Sequence, residues 1–161
     1  AAVDGGKLIW NFAFGSNLHP GKVKSRGMTP AKSVPGVLPS WCLIFNHAGG
    51  FGNIERAEII AEEQYNVTRL APPHEVHGTL LLLSRADFAK LAWEEYAYDT
   101  VEVAVQPYGI EGNVTSQPAQ QQRALAFKTN PCALVDSQTL PSARYIGLIR
   151  EGAQQSGVEP S

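Results

Sequence analysis

Leu8 to Phe14 constrains this chain more than any other stretch, because it is apolar on both sides of an extended backbone. Leu8, Trp10, Phe12 and Phe14 fall on one face, and Ile9 and Ala13 on the other. A strand with one wet face would alternate with polar residues, so the pattern predicts a strand covered on both sides. Gly15-Ser16-Asn17 breaks it, and Pro20 suits the first turn of a short helix. A strand buried twice needs a layer on each face, and the rest of the chain must supply both.

Further strand patterns follow at Val37 to Asn46, Ile54 to Ile60, Val76 to Leu83, Val101 to Val105 and Arg123 to Lys128. His47 to Asn53 is a glycine-rich loop, and Ala71 to His74 is a proline-broken connection. Ser84 reads as an N-cap, with Asp87 completing a capping-box-like start to a helix that runs to about Tyr96. Ser142 caps a last helix, and Gly157 ends it. Ser116 to Gln122 is glutamine-rich and reads as an exposed connection, and Glu159 to Ser161 reads as a frayed end. Strands dominate, with one helix between strands and one near the C-terminus. The expected fold is therefore a single α/β (α+β) domain over residues 1–161, with a core from about 8 to 158 built around a bent or barrel-like mixed sheet.

Composition narrows the function classes. A chain of 161 residues with 43% hydrophobic and 17% charged residues can bury a globular core. The formal net charge is -2, and no basic stripe is present, which argues against a nucleic-acid partner. No apolar run approaches a membrane span. Two cysteines, Cys42 and Cys132, lie far apart outside any Cys-x-x-Cys pattern. Buried free thiols in a reducing compartment are the default reading, and a bond between them stays open. Ala1 to Lys7 has no hydrophobic signal segment, and the expected location is cytoplasmic. Asn66-Val67-Thr68 and Asn113-Val114-Thr115 match glycosylation sequons, a triplet common by chance. The histidines, His19, His47, His74 and His77, lack metal-ligand spacing, so no metal is expected. No P-loop, dinucleotide fingerprint or Gly-x-Ser-x-Gly elbow is present.

Three groupings carry chemistry. The first is the turn after the opening strand, Phe14-Gly15-Ser16-Asn17-Leu18. Successive N–H groups in such a turn can converge on an anion, and Gly15 permits a close approach or a positive φ. An ordinary strand-to-helix turn capped by Asn17 is the competing reading. The second is the helix after Ser84, where Phe88, Leu91, Ala92 and Glu95 share a face at about 100° per residue. Glu95 is then partly desolvated, which raises a carboxyl pKa and suits acid/base work. Glu94 points elsewhere and is expected to be an ordinary solvated carboxylate pairing with Lys90. A structural Glu95, bonded to backbone or to Tyr98, remains equally open from spacing alone. The third is the last helix, where Tyr145, Leu148, Ile149 and Gly152 share a face. Tyr145 is either a site hydroxyl or a core tyrosine with one satisfied bond.

In order and spacing these segments resemble the gamma-glutamylcyclotransferase-like family, which includes the AIG2-like proteins. The carriers are Phe12 to Leu18, Val76-His77-Gly78-Thr79-Leu80, Leu91 with Glu95 followed by Tyr98, and Pro141-Ser142, Tyr145, Gly152-Ala153 and Gly157. They span nearly the whole chain. Departures occur at Ala92, where the family usually has Asp, at Tyr96 and Ala97, where glycines are common, and at Phe14, usually a tyrosine. These leave the acid in place and alter its surroundings, so substrate choice is less constrained than fold.

The resemblance implies cyclisation of a gamma-glutamyl amide to 5-oxoproline with release of an amine, and no cofactor or metal. It implies Glu95 as general acid/base. Phe14, Gly15, Ser16, Asn17, Leu18, Tyr98 and Tyr145 are the expected substrate-binding residues. The implied partner is a small gamma-glutamyl molecule, on a monomer or homodimer. A non-catalytic carboxylate-binding protein on the same fold, and a cyclotransferase for a gamma-glutamylamine or a specialised intermediate, are the alternatives.

Overall fold

The structure, a computed structural model, describes residues 6–62, 73–109, 120–136 and 139–158. In chain order the elements are β1 (Ile9–Ala13), α1 (Pro20–Ser25), β2 (Lys32–Pro39), β3 (Trp41–Ile44), β4 (Asn53–Arg56) and α2 (Ala57–Glu62). These are followed by β5 (Glu75–Leu83), α3 (Arg85–Glu94), β6 (Tyr98–Pro107), β7 (Gln122–Thr129) and α4 (Ala143–Ser156). Five strands close into a barrel in the order β1-β5-β2-β6-β7, and β3 and β4 form a separate two-stranded sheet.

The two-faced opening strand is explained by this closure. Phe12 and Phe14 pack with Leu38, Val76, Leu80, Val103 and Val105 from the other barrel strands. Ala13, on the opposite face, packs with Leu81, Leu83, Phe127, Val23 of α1 and Leu91 of α3. Leu91 is fully buried there, a burial that stabilises by about 1.5–3 kcal/mol. The barrel and the helices across it are thus the two layers the sequence called for.

β1 pairs antiparallel with β5 along its whole length, from Ile9↔Leu83 to Ala13↔Thr79. On its other edge it meets β7 in parallel at the single pair Asn11↔Leu125. Asn11 Nδ2 reinforces that closure by donating to the Leu125 carbonyl at 2.9 Å.

Helix ends follow their caps. Ser84 Oγ accepts from the Asp87 N–H at 3.1 Å, and Ser142 Oγ from the Tyr145 N–H at 3.2 Å. Asp87 does more than close its own helix, since its Oδ2 accepts from the Thr29 N–H at 3.1 Å. That bond ties α3 to the segment ahead of β2. Gly157 ends α4 at φ 71°, the left-handed conformation of a glycine stop.

The expected boundaries need three corrections, and the cysteines a fourth. Val37 to Asn46 is not one strand: the chain turns at Ser40, whose φ is 66°, and β3 leaves the barrel for the second sheet. Ile54 to Ile60 is strand only to Arg56, after which Ala57–Glu62 is helical. There Ile60 faces Cys42 and Ile44 in a small buried cluster, so packing overrides the β-branched preference that suggested a strand. The helix after Ser84 stops at Glu94 rather than near Tyr96. Both cysteines are free, but Cys42 alone is buried and Cys132 is exposed. The two sequons, most of Ser116 to Gln122, and Glu159 to Ser161 lie outside the described residues. Among the described residues, no helix is long and apolar enough to cross a membrane.

α4 lies against the turn that follows β1, and Gly152 sets the distance. A Cβ there would meet the His19 backbone N at 2.6 Å and the Leu18 carbonyl carbon at 2.7 Å. Gly152→Ala is therefore expected to push the helix off the turn and to lower unfolding free energy by about 1–3 kcal/mol in urea titration, despite alanine's better helix propensity. An unchanged midpoint would show that α4 is not held at this spacing.

Candidate functional site

Beyond the Asn11↔Leu125 pair, β1 and β7 no longer pair, and a cleft of about 270 Å³ lies there. It is lined by Asn11 through Asn17, by Phe127 of β7, by Glu94 through Tyr98, and by residues of three other segments: Arg26, His47 with Phe51 and Gly52, and Tyr145. The turn after β1 thus shares one cleft with the end of α3 and the start of α4. Phe14, Gly15, Ser16, Asn17, Glu95, Tyr98 and Tyr145 all line it. Leu18 does not; it is buried outside the cleft, and its N–H bonds back to the Gly15 carbonyl at 3.0 Å.

Gly15 is needed for proximity rather than for handedness, since its φ is -110°. A Cβ on Gly15 would lie 2.9 Å from the Tyr145 hydroxyl. Ser16 to Leu18 form a single 3-10 turn whose later N–H groups bond within it, leaving those of its start directed out of the turn.

Glu95 sits one residue past α3 as its C-cap, with its N–H on the Leu91 carbonyl at 3.1 Å. The apolar face of α3 therefore carries its last position into the cleft, where the Glu95 side chain is 18% exposed. Burial pushes its carboxyl above the ordinary value. Arg26 and Asn17 beside it oppose that rise, and the charge of Glu94 adds to it.

Arg26 was not legible as a site residue, and it reorganises the reading of Glu94. It caps the C-terminal end of α1 and reaches back across the turn. Its Nη1 donates to Asn17 Oδ1 at 2.6 Å and lies 3.4 Å from Glu95 Oε1, while its Nε lies 2.9 Å from Glu94 Oε2. Glu94 is thus not a solvated partner of Lys90, although 46% of its side chain is exposed. Lys90 turns to Asp87 at 3.4 Å instead. The shorter contact goes to Glu94, so the guanidinium is shared. A fork engaged wholly with Glu95 would hold that carboxyl ionised.

On the opposite wall the Gly52 peptide is clasped by two tyrosines. Its N–H donates to the Tyr145 hydroxyl at 2.9 Å, and the Tyr98 hydroxyl donates to its carbonyl at 3.4 Å. Burial pushes both phenols above their ordinary values, so both are neutral hydroxyls at neutral pH. The glycine-rich loop carrying Gly52 is anchored through Asn53, whose Oδ1 accepts from the Thr129 N–H and whose Nδ2 donates to Asn46 Oδ1, both at 2.8 Å.

The same loop brings in His47, which the sequence offered only as one of several histidines without metal spacing. It stacks on Tyr98 with ring centroids 5.0 Å apart, and its Nδ1 accepts from the Gly49 N–H at 2.8 Å. Its Nε2, and Asn11 Oδ1 across the cleft, are buried polar atoms with no partner among the described residues. An unmet buried group costs about 1–3 kcal/mol, and native folds keep few of them. The cleft thus brings a semi-dry carboxyl beside the turn after β1, and two residues of its lining, Asn11 and His47, each hold a buried polar atom without a partner among the described residues. That set can hold a small carboxylate and move a proton beside it. Among the described residues, no group of three or more His, Cys, Asp or Glu could hold a metal ion.

No family model matches the chain. Among curated proteins it is 28% identical over 173 residues to gamma-glutamyl cyclotransferase gliK of Aspergillus fumigatus, covering 92% of this chain and 57% of that protein. It is 29% identical over 170 residues to gamma-glutamyl cyclotransferase aclK of Aspergillus oryzae, covering 94% of this chain and 57% of the relative. The chain thus spans little more than half the length of the curated relatives it matches. Among solved structures, one described as gamma-glutamyl cyclotransferase superposes with a TM-score of 0.65 at 18% identity, covering 94% of this chain and 81% of the other. The resemblance carried by the motifs holds in both comparisons: the curated relatives bear that name, and the barrel is the gamma-glutamylcyclotransferase-like fold.

The raised carboxyl pKa has a stability consequence with a definite sign. The folded state binds the Glu95 proton more tightly than the unfolded chain, so this group's contribution is fully present below the ordinary value of 4.5 and is lost as pH rises through the folded pKa. Urea titrations of the wild type and Glu95→Gln across that window should show the variant gaining on the wild type as pH rises. A difference that is flat with pH would mean that the carboxyl is not desolvated.

Proposed function

We propose that this chain, built on the gamma-glutamylcyclotransferase-like fold, cyclises a gamma-glutamyl amide to 5-oxoproline and releases an amine. The observation that carries the reading is the placement of the Glu95 carboxyl, raised by burial, in the same cleft as the Gly15–Asn17 turn. The names of the curated relatives support the same class.

The reaction needs the substrate's own α-amine to lose a proton and attack its γ-carbonyl carbon. An α-ammonium beside its own free carboxylate is a much weaker acid than a carboxyl, so moving its proton to an ordinary carboxylate is uphill. Each unit by which desolvation raises the acid removes about 1.4 kcal/mol of that cost. Glu95 takes the proton from the α-ammonium, and the amine nitrogen bonds to the γ-carbon. The resulting tetrahedral oxyanion collapses as Glu95 returns that proton to the leaving nitrogen and the amide C–N bond breaks, and the second proton still on the ring nitrogen passes to the released amine, which departs as its ammonium. The products are 5-oxoproline and the free amine, with no water consumed and no enzyme nucleophile required.

The remaining groups hold the folded substrate. The N–H groups at the start of the 3-10 turn receive the α-carboxylate. Tyr145 and Tyr98 set the wall against which the chain folds. A cleft of about 270 Å³ is at the small end for ligand sites, with room for the glutamyl group while the leaving part extends outward.

A panel of gamma-glutamyl dipeptides, glutathione and gamma-glutamyl-lysine, read by mass spectrometry of 5-oxoproline, tests the activity. Glu95→Gln should reduce release by about 10²–10⁴-fold with the fold intact. Binding without release by the wild type would turn the reading toward a carboxylate-binding protein. Glu94→Gln should remain active, but not silently. Removing that charge and freeing Arg26 for Glu95 both lower the Glu95 pKa, so the acidic limb of kcat/KM should move to lower pH. An unmoved limb would show that Arg26 does not set the acid.

A further inference from the structure

The lining of the cleft is graded in exposure. Phe12 and Phe14 are buried and the Glu95 side chain is 18% exposed, whereas Phe51 is 44% and Tyr96 89% exposed. These two open members are both aromatic. The Phe51 ring is placed by its contacts: it meets the Tyr145 ring edge-on with centroids 5.3 Å apart, and the His47 ring at 5.4 Å. The rest of Phe51 is left to solvent at the mouth of the cleft. Tyr96 follows Glu95 directly, where the resemblance leads one to expect glycine, and most of its surface is uncovered. Trp93 and Leu140 are also exposed but do not line the cleft, so exposure alone does not single out these two.

A cleft of about 270 Å³ holds little beyond the glutamyl group, so the leaving part of the substrate must pass these open members. What they offer it is aromatic surface. Among the described lining residues, Arg26 is the one lysine or arginine, and it is engaged by Asn17, Glu94 and Glu95. An acidic leaving group would therefore meet no free cation there. An apolar side chain would take its own surface, and that of Phe51 and Tyr96, out of water.

We infer that Phe51 and Tyr96 form the subsite for the departing amine and select one that bears an apolar or aromatic side chain. The assignment rests on the cyclotransferase reading and names the class of leaving group. Selection by such a surface is made by contact area, so it grows with the size of the apolar group and is insensitive to its exact shape. The contact exists before and during ring closure alike, so it acts on KM more than on kcat. Phe51 has one edge fixed against Tyr145, whereas Tyr96 stands free and closes over the ligand as a movable flank.

The test compares gamma-glutamyl-phenylalanine with gamma-glutamyl-alanine, which carry the same charges and differ only in the apolar group. Wild-type kcat/KM should favour the phenylalanine compound by about tenfold or more, chiefly through KM. In Phe51→Ser and in Tyr96→Gly that ratio should fall by at least about threefold, and further in the double variant. Tyr96→Gly alters an exposed residue outside any helix or strand, so it keeps the test open if Phe51→Ser fails to fold. A wild-type ratio within twofold, or a ratio that both variants keep, overturns the inference and leaves the cyclotransferase reading standing. A kept ratio with altered sedimentation would assign the aromatics to self-association, which overturns it too. If the wild type releases no 5-oxoproline, the cyclotransferase reading falls, and calorimetric titration with the same two compounds decides the subsite: tighter binding of the phenylalanine compound that Tyr96→Gly weakens supports it, and equal binding overturns it.

Discussion

The closure of the barrel at one residue pair is the constraint on which the rest depends. β1 and β7 run parallel and meet only at Asn11↔Leu125, with the Asn11 amide bonded to the Leu125 carbonyl. Full pairing would have sealed the barrel and left no cleft. No pairing would have left two open sheet edges, which folded proteins avoid. A single pair joins the strands and then releases them, so their later residues become walls of a cleft. Asn11 serves both purposes, because its amide nitrogen closes the barrel and the residue itself lines the cleft.

What fills the opening is decided by competition for one guanidinium. Arg26 stands among Asn17, Glu94 and Glu95, and its shorter carboxylate contact is with Glu94. Desolvation is then the leading influence on Glu95 and prevails over the attraction of Arg26. Adjacent glutamates thus behave differently for a geometric reason. The helix ends between them, Glu94 facing the half-exposed rim and Glu95 turning inward as the cap.

Much of this was legible in the sequence, and the misses share a cause. The doubly apolar opening run, the alternation in Val101 to Val105 and the serine caps of α3 and α4 are local patterns, and the structure keeps them, although the first strand is only Ile9–Ala13 and Leu8 is 46% exposed. Glu95 was legible because helical spacing carries a face forward by one residue even where the helix stops. Arg26, His47 and Asn11 were not, since nothing near them in sequence marks them out. Arg26 reaches the cleft through a contact with Glu95 across the fold, and His47 reaches it because its loop is laced to Ala133, Leu134, Val135 and Thr139. Ser40 and Ala57 were missed for a related reason. Their bonds, from the Ser40 N–H to the His74 carbonyl and from the Ala57 N–H to the Ser40 carbonyl, reward a turn that the apolar run alone does not announce.

The neutrality of the far wall follows from the same electrostatics. Tyr98, raised in pKa first by its own burial and in part by Glu95, carries the His47 ring stacked upon it. An imidazolium there would be a second cation bearing on the cleft besides Arg26, and together they would draw Glu95 toward permanent ionisation. A neutral ring avoids this, because it adds no fixed charge that would lower the acid's pKa. Burial of His47 and burial of Glu95 are therefore parts of one arrangement. Each keeps its group neutral more readily than water would.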